Sequence, residues 1–257
     1  MRPPVPGSIA LMQPYVFPYV GYLSLAASVE TFVSFDSAQY IRRGWVNRNR
    51  VLHPTEGWSH LTIPVARHQR SDACDAVMVN EDGDWRTKVE GLLEVYRGAP
   101  HRDATLDIVR EAVALQGASI GGLATHALSV VMAALGLPLN VVSSRALDLG
   151  HDANAPEDWG WRAAHALSAN TCLNAPGGRR IYSPTTYANQ GLRLGFVDHP
   201  LPEYDQGGRD FVRGLSIVDV LMWLGPDGTR DMVLQYSIDY PPPTPARSPA
   251  HPSETPR

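Results

Sequence analysis

The sequence predicts an α/β fold: a single compact domain with a mixed or mostly parallel sheet flanked by helices. Two observations carry this expectation. Short β-branched or aromatic runs alternate with longer stretches of helical apolar spacing over most of the chain. The 257 residues are also enough for one sizeable core. The domain is expected over residues 1–240. Residues 241–257 carry seven prolines and no aliphatic cluster, so they read as a disordered, Pro-rich tail.

The elements follow in order. Ser8-Ile9-Ala10-Leu11-Met12 is a buried strand stopped by Gln13-Pro14, because the residue before proline is pushed out of the helical region. Val20–Val29 has helical spacing, and Thr31–Phe35 is a β-branched, aromatic strand that ends at Asp36. His60–Val65 reads as a strand near an edge, with Pro64 removing a ladder donor. Helices are expected over about 83–97, 102–116 and 119–135, the last closed by Gly136 and Pro138. Leu139–Ser143 returns to strand. Pro156-Glu157-Asp158 opens a helix through Leu167, with proline and acids in the first turn where the helix dipole favours them. Thr171–Asn174 is a strand running into Ala175-Pro176-Gly177-Gly178, and Ser183-Pro184 starts a short helix closed by Gly191. Leu192–Val197 alternates like a half-buried strand. A helix over Leu215–Trp223 and another through Tyr236 complete the domain. Ser216 and Asp219 have capping-box spacing and are assigned to starting that helix.

Composition excludes several classes. Basic residues number 22 and acidic ones 26, a formal charge of −4, which offers no global attraction to nucleic acid or an anionic membrane. Specific DNA binding and membrane association are therefore not expected. There is no apolar run of the roughly 18 residues a membrane helix needs, and Met1–Gly7 lacks a signal-peptide core. Two cysteines, Cys74 and Cys172, suit a reducing cytoplasm and no disulfide scaffold. The nine histidines form no HxH or HxxxH pair, and no CxxC is present, so no metal and no cofactor are expected. Cys172, seven residues after His165, reads as a small core residue in a strand, and His165 as a packed side chain.

The chemistry concentrates between Gln13 and Arg50. Eight of the 21 aromatic residues fall there, interleaved with Gln13, Asp36, Gln39, Arg42, Arg43, Asn47, Arg48, Asn49 and Arg50. A core would not bury so many long polar groups unpaired, and a solvated loop would not need so many rings. Aromatic walls with a few convergent polar groups describe a ligand pocket. Tyr22, Tyr40 and Trp45 would supply its walls. Asp36, just after a strand, is placed as a general base. Asn47 and Gln39, with Gln13 and Asn49, are neutral groups suited to an amide or a developing oxyanion. Arg43 and Arg48 would clamp a phosphate or carboxylate, and the backbone of Gly177-Gly178 would approach an anion.

These residues also carry a resemblance. Gln13-Pro14-Tyr15-Val16-Phe17-Pro18-Tyr19-Val20-Gly21-Tyr22, then Asp36, Gln39-Tyr40, Arg43, Trp45 and Asn47-Arg48-Asn49-Arg50, is similar to the opening of the WbqC-like family. Leu61-Thr62-Ile63-Pro64, Gly177-Gly178 with Tyr182, and Leu215–Val220 continue it in order. The family is bacterial and common in polysaccharide and natural-product clusters. The resemblance implies an aminoacyl transferase of glycyl type that forms an amide on an amine-bearing sugar or natural-product intermediate. Its donor would come on an acyl or aminoacyl carrier protein or an aminoacyl-tRNA. The proline-rich tail and Cys172 depart from the family pattern. Two other readings stay open. One is a nucleotide-binding Rossmann-like enzyme, although the histidines of an HxGH motif are absent. The other is a non-catalytic binding protein of a biosynthetic cluster.

Overall fold

A computed structural model describes residues 2–150, 153 and 155–243. The proline-rich tail expected from 241 therefore lies, from 244 onward, outside the described residues. Eight strands are formed: β1 (Val5–Met12), β2 (Val29–Ser34), β3 (Arg48–Leu52), β4 (Trp58–Thr62), β5 (Val141–Ser143), β6 (Thr171–Asn174), β7 (Arg193–Asp198) and β8 (Ser237–Asp239). The helices are α1 (Val20–Ser28), α2 (Trp85–Leu92), α3 (Arg102–Ala112), α4 (Ile120–Ala134), α5 (Asp158–Ala166), α6 (Pro184–Asn189) and α7 (Ile217–Val233). Six strands make one sheet in the order β5-β2-β1-β6-β7-β8. All its pairings are parallel except that of β8, which runs antiparallel to β7. The α/β architecture and the mostly parallel sheet agree with the sequence.

Side-chain alternation divides the core into two layers. Ile9 and Leu11 of β1, Val33 of β2, Cys172 of β6, and Leu194 and Phe196 of β7 pack with Ala163 and Ala164 of α5 and Tyr187 of α6. The opposite pleat positions, Ala10, Phe32, Leu173 and Val197, join the larger layer with α1, α3, α4 and α7. Both faces are covered, as a parallel sheet requires. Helix α1 is buried along all nine residues. Its buried Ser24 hydroxyl donates to the Val233 carbonyl of α7 at 2.7 Å, and that of Ser28 to the Leu25 carbonyl at 2.8 Å.

Two elements were not foreseen. The arginine-rich stretch 48–52, to which the sequence reading assigns no element, is β3. It pairs antiparallel with β4 from Arg48–Thr62 to Leu52–Trp58. Alternating Arg and Asn hide the apolar signal, but Val51, Leu52 and Leu61 are buried in the large core layer and hold the hairpin there. The other is β8, three residues long and too short to show a period. The two helices expected at the end are both present, as the halves of α7 on either side of a kink at Gly225-Pro226. Ser216 is the N-cap of α7: its hydroxyl accepts from Val218 N at 3.2 Å and donates to the Phe17 carbonyl at 2.8 Å. No helix among the described residues is long and apolar enough to cross a membrane.

Candidate functional site

From β1 the chain steps outward to β2 and β5, then returns past β1 to β6 and β7. The connections leaving β1 and β6 therefore diverge, and a crevice opens at the carboxyl ends of these two strands. In open α/β sheets that switch point is where ligands bind.

Two cavities flank the end of β1. The first, about 480 Å³, is lined by Met12, by Tyr15, Tyr19 and Tyr22 from the β1–α1 passage, and by Trp45, Asn49 and Arg50 at the hairpin. Ala175 and Gly177 after β6, with Leu201 and Gly214 before α7, complete it. The second, about 590 Å³, is lined by Gln13, Phe35, Ser37 and Gln39 on one side and by Trp159, Ile181 and Tyr182 on the other.

In the first cavity the rings interlock. Tyr22 is buried, lies 5.5 Å from both Tyr15 and Phe32, and donates from its hydroxyl to the Gln13 carbonyl at 2.8 Å. Burial raises the phenols of Tyr15, Tyr19 and Tyr22, so all three are neutral donors at physiological pH. Arg50 supplies the one charge on the lining. Its Nη2 donates to the Gly214 carbonyl at 2.8 Å, and its backbone carbonyl accepts from Ser216 N at 2.8 Å. The guanidinium carbon stands 5.9 Å from the Trp45 ring and 5.4 Å from Trp58. Gly214 has φ +69°, and a Cβ there would come within 3.2 Å of Arg50 Nη2. Arg50 faces His60 across the hairpin. Burial, then the charges of Arg48 and Arg50, hold the His60 imidazole below its ordinary pKa.

Tyr22, Trp45, Asn49 and Gly177 thus meet around the first cavity, and Gln13 and Gln39 line the second. Gln13 Nε2 donates to the Gln39 carbonyl at 3.3 Å, and Gln39 Nε2 to the Arg70 carbonyl at 2.6 Å. The other candidates line neither cavity. Asp36 is held by the β5 end: Oδ2 accepts from the Ser143 hydroxyl at 2.5 Å, and Oδ1 from the Ser144 hydroxyl at 2.9 Å and Arg145 N at 3.3 Å. Asn47 is buried and donates to the Ile63 carbonyl at 2.8 Å, extending the hairpin. Tyr40 is buried edge-on to His68. Arg48 folds back onto the carbonyls of Gly44 and Arg43, and Arg43 itself is exposed with φ +60°. Gly178 is packed against Asn174.

On the first cavity, the residues not singled out from sequence are Met12, Tyr15, Tyr19, Arg50, Ala175, Leu201 and Gly214. Tyr15, Tyr19 and Arg50 sit in the aromatic–arginine stretch. A strand over 48–52 puts Arg48 and Arg50 on one face, so periodicity alone does not single out Arg50. Leu201 and Gly214 carry no local signal.

Cys172 is buried, with its thiol pushed up to about 12 by desolvation, and Cys74 is likewise at about 12. Neither offers a thiolate nucleophile. Among the described residues no three His, Cys, Asp or Glu side chains are placed to hold a metal ion.

Fold and crevice together define a doubly wound α/β protein with two cavities at the switch point of its sheet. The chain belongs to the WbqC-like protein family, whose model matches residues 13–231. It is 24% identical over 220 residues to a Mycobacterium tuberculosis protein described as uncharacterized protein Rv1507c, covering 84% of this chain and 94% of that one. No solved structure matches it significantly.

Proposed function

We propose that the protein is an amide-forming aminoacyl transferase of glycyl type, acting on an amine-bearing sugar or natural-product intermediate in a bacterial biosynthetic pathway. The pair of cavities on either side of the β1 terminus carries this reading. Consecutive residues of an extended chain face opposite sides, and Met12 lines one chamber while Gln13 lines the other. Two substrates can then approach one strand end from two directions. The aromatic chamber with Arg50 suits the acceptor. The chamber with Gln13 and Gln39, whose neutral amides match an aminoacyl group, suits the donor, delivered on a carrier protein or tRNA.

The acceptor nitrogen forms the new N–C bond, the acyl carbon loses its thioester sulfur or ester oxygen, and the nitrogen's proton ends on that leaving group. Because the donor arrives activated, holding both reactants in line supplies much of the acceleration. Asp36 lines neither chamber but adjoins Ser37 of the donor chamber, so it is proposed as the base for an acceptor amine that reaches past the β1 terminus to that side.

One observation favours a second reading. The linings of the two cavities contain no carboxylate, imidazole or thiol, which is what a non-catalytic binding protein would present. The two readings part on incubation of the full chain with aminoacyl thioesters, aminoacyl-tRNAs and amino-sugar nucleotides, with new amides scored by mass spectrometry. The transferase yields an amide whose formation drops at least about tenfold in Asp36→Asn, since general-base assistance is typically worth ~10²–10⁴-fold. Saturable binding of the acceptor with no amide from any donor would leave the binding protein standing.

A further inference from the structure

Arg50 is built as a receptor for something the chain does not supply. Its Nε–H is buried and has no hydrogen-bond partner among the described residues. No carboxylate pairs with it either: Nη2 is bonded only to main-chain carbonyls, those of Gly214 and, at 3.5 Å, Arg213. Buried donors are nearly always paired, and an orphan of this kind calls for a ligand or a function. Arg102 also has a buried, unpartnered Nε, but its fork pairs with Glu94 and Asp103, and Arg86 meets Glu81 and the Val113 carbonyl. Arg50 lacks any such carboxylate pairing.

The guanidinium is also fixed in advance. Gly214 holds one end of the fork, Ser216 N fixes the backbone through the Arg50 carbonyl, and the rings of Trp45 and Trp58 stand beside it. No acidic side chain lines the cavity to compete for the charge. Beside the charge stand the half-buried Tyr15 and Tyr19, whose rings offer faces to a sugar or a base, with the buried Tyr22 behind Tyr15.

We propose that Arg50 is an oxyanion subsite of this cavity, and that the ligand it takes is a phosphate-bearing compound with a ring, of the nucleoside diphosphate or nucleotide-linked sugar class. The phosphate accepts the Nε–H, satisfying the orphan donor, and the ring lies against the tyrosines and Trp45. The inference rests on reading this cavity as the acceptor chamber. It transfers the phosphate contact from Arg43 and Arg48, which are turned to their own loop, to a residue of β3.

The experiment is calorimetric titration of the full chain with uridine 5′-diphosphate, inorganic pyrophosphate, uridine and acetate. Wild type is compared with Arg50→Gln, Arg50→Lys and, as a charge control outside the cavity, Arg97→Gln. Uridine 5′-diphosphate is expected to bind saturably and uridine at least tenfold more weakly. Arg50→Gln is expected to lose roughly thirtyfold, the scale of one charge-assisted contact. Arg50→Lys, which keeps charge without the fork, should fall between, and Arg97→Gln should stay within twofold. Equal affinity for uridine and its diphosphate, undiminished affinity in Arg50→Gln, or a preference for acetate over phosphate would each overturn the proposal. Should Arg50→Gln not fold by circular dichroism, the loss in Arg50→Lys together with the wild-type order uridine 5′-diphosphate over uridine, weakening with salt, decides. Arg50-dependent binding without any amide product would remove the transferase and keep this subsite. Amide formation indifferent to Arg50 would do the reverse.

Discussion

At the scale of single residues, Asp219 is a buried carboxyl displaced upward from its ordinary value. It lies fully buried in the first turn of α7, where its Oδ2 accepts from the Tyr204 hydroxyl and from Gln206 Nε2, while Oδ1 has no partner. Desolvation dominates these bonds and raises the carboxyl above its usual 3.8. The native state therefore keeps this proton to higher pH than the unfolded chain does. The group's contribution to stability is greatest in acid and falls as pH rises through that interval. Between about pH 4 and pH 7 the urea stability of wild type minus that of Asp219→Asn should accordingly decline. A flat difference would contradict the assignment. Asp219→Ala strands the Tyr204 hydroxyl and one donor of Gln206, and should cost about 1–3 kcal/mol, read from the urea midpoint. From sequence, Asp219 was legible as a helix-start residue, which it is. The tyrosine and glutamine around it come from a loop thirteen to fifteen positions earlier, and nothing local announces them.

At the scale of elements, the sheet strands and the long helices were legible because their apolar residues repeat with the right period. β6 is expected and found at Thr171–Asn174, and α4 at Ile120–Ala134 within the stretch 119–135. The hairpin was not, because its pattern is written in arginine and asparagine, and the core contact that makes β3 a strand comes from tertiary packing. The sequence reading singles out Arg48 over Arg50. The two share a face of β3, and it is the return of Arg48 onto the Gly44 and Arg43 carbonyls that leaves Arg50 on the cavity. The kink of α7 belongs to this scale too. Gly225 takes φ 65° and ψ −179°, a region only glycine occupies at low cost, and an added Cβ would stand 2.7 Å from His101 Nδ1. The substitution Gly225→Ala should cost about 1–3 kcal/mol by thermal or urea unfolding, through strain at the kink and displacement of the α3 start. A neutral result would mean that α7 straightens without penalty.

At the scale of the whole molecule, the crevice was anticipated only as a cluster in the sequence, whereas its location follows from strand order. No single-sequence signal specifies that β6 returns to the side of β1, so Ala175, Gly177, Leu201 and Gly214 could be placed around the aromatic stretch only by the fold. The same long-range closure makes a prediction for native-state hydrogen exchange. The Ser216 amide is bonded to the Arg50 carbonyl and the Ile217 amide to that of Pro18, so both should exchange with the slow amides of α1. The amide of Gly44, in a local turn to Ile41, should exchange through local opening. Fast exchange at Ser216 and Ile217 would show the α7 start to be detachable from the rest.

The bond from the Ser216 hydroxyl to the Phe17 carbonyl joins residues 199 apart, and that from Arg50 Nη2 to Gly214 joins residues 164 apart. Loop-closure entropy is paid before such remote contacts give any return, which places them late on the folding route. A newly made chain would thus acquire its sheet before its ligand seat. Binding competence then reports the completion of folding, and a collapsed chain that lacks this last closure would hold no ligand.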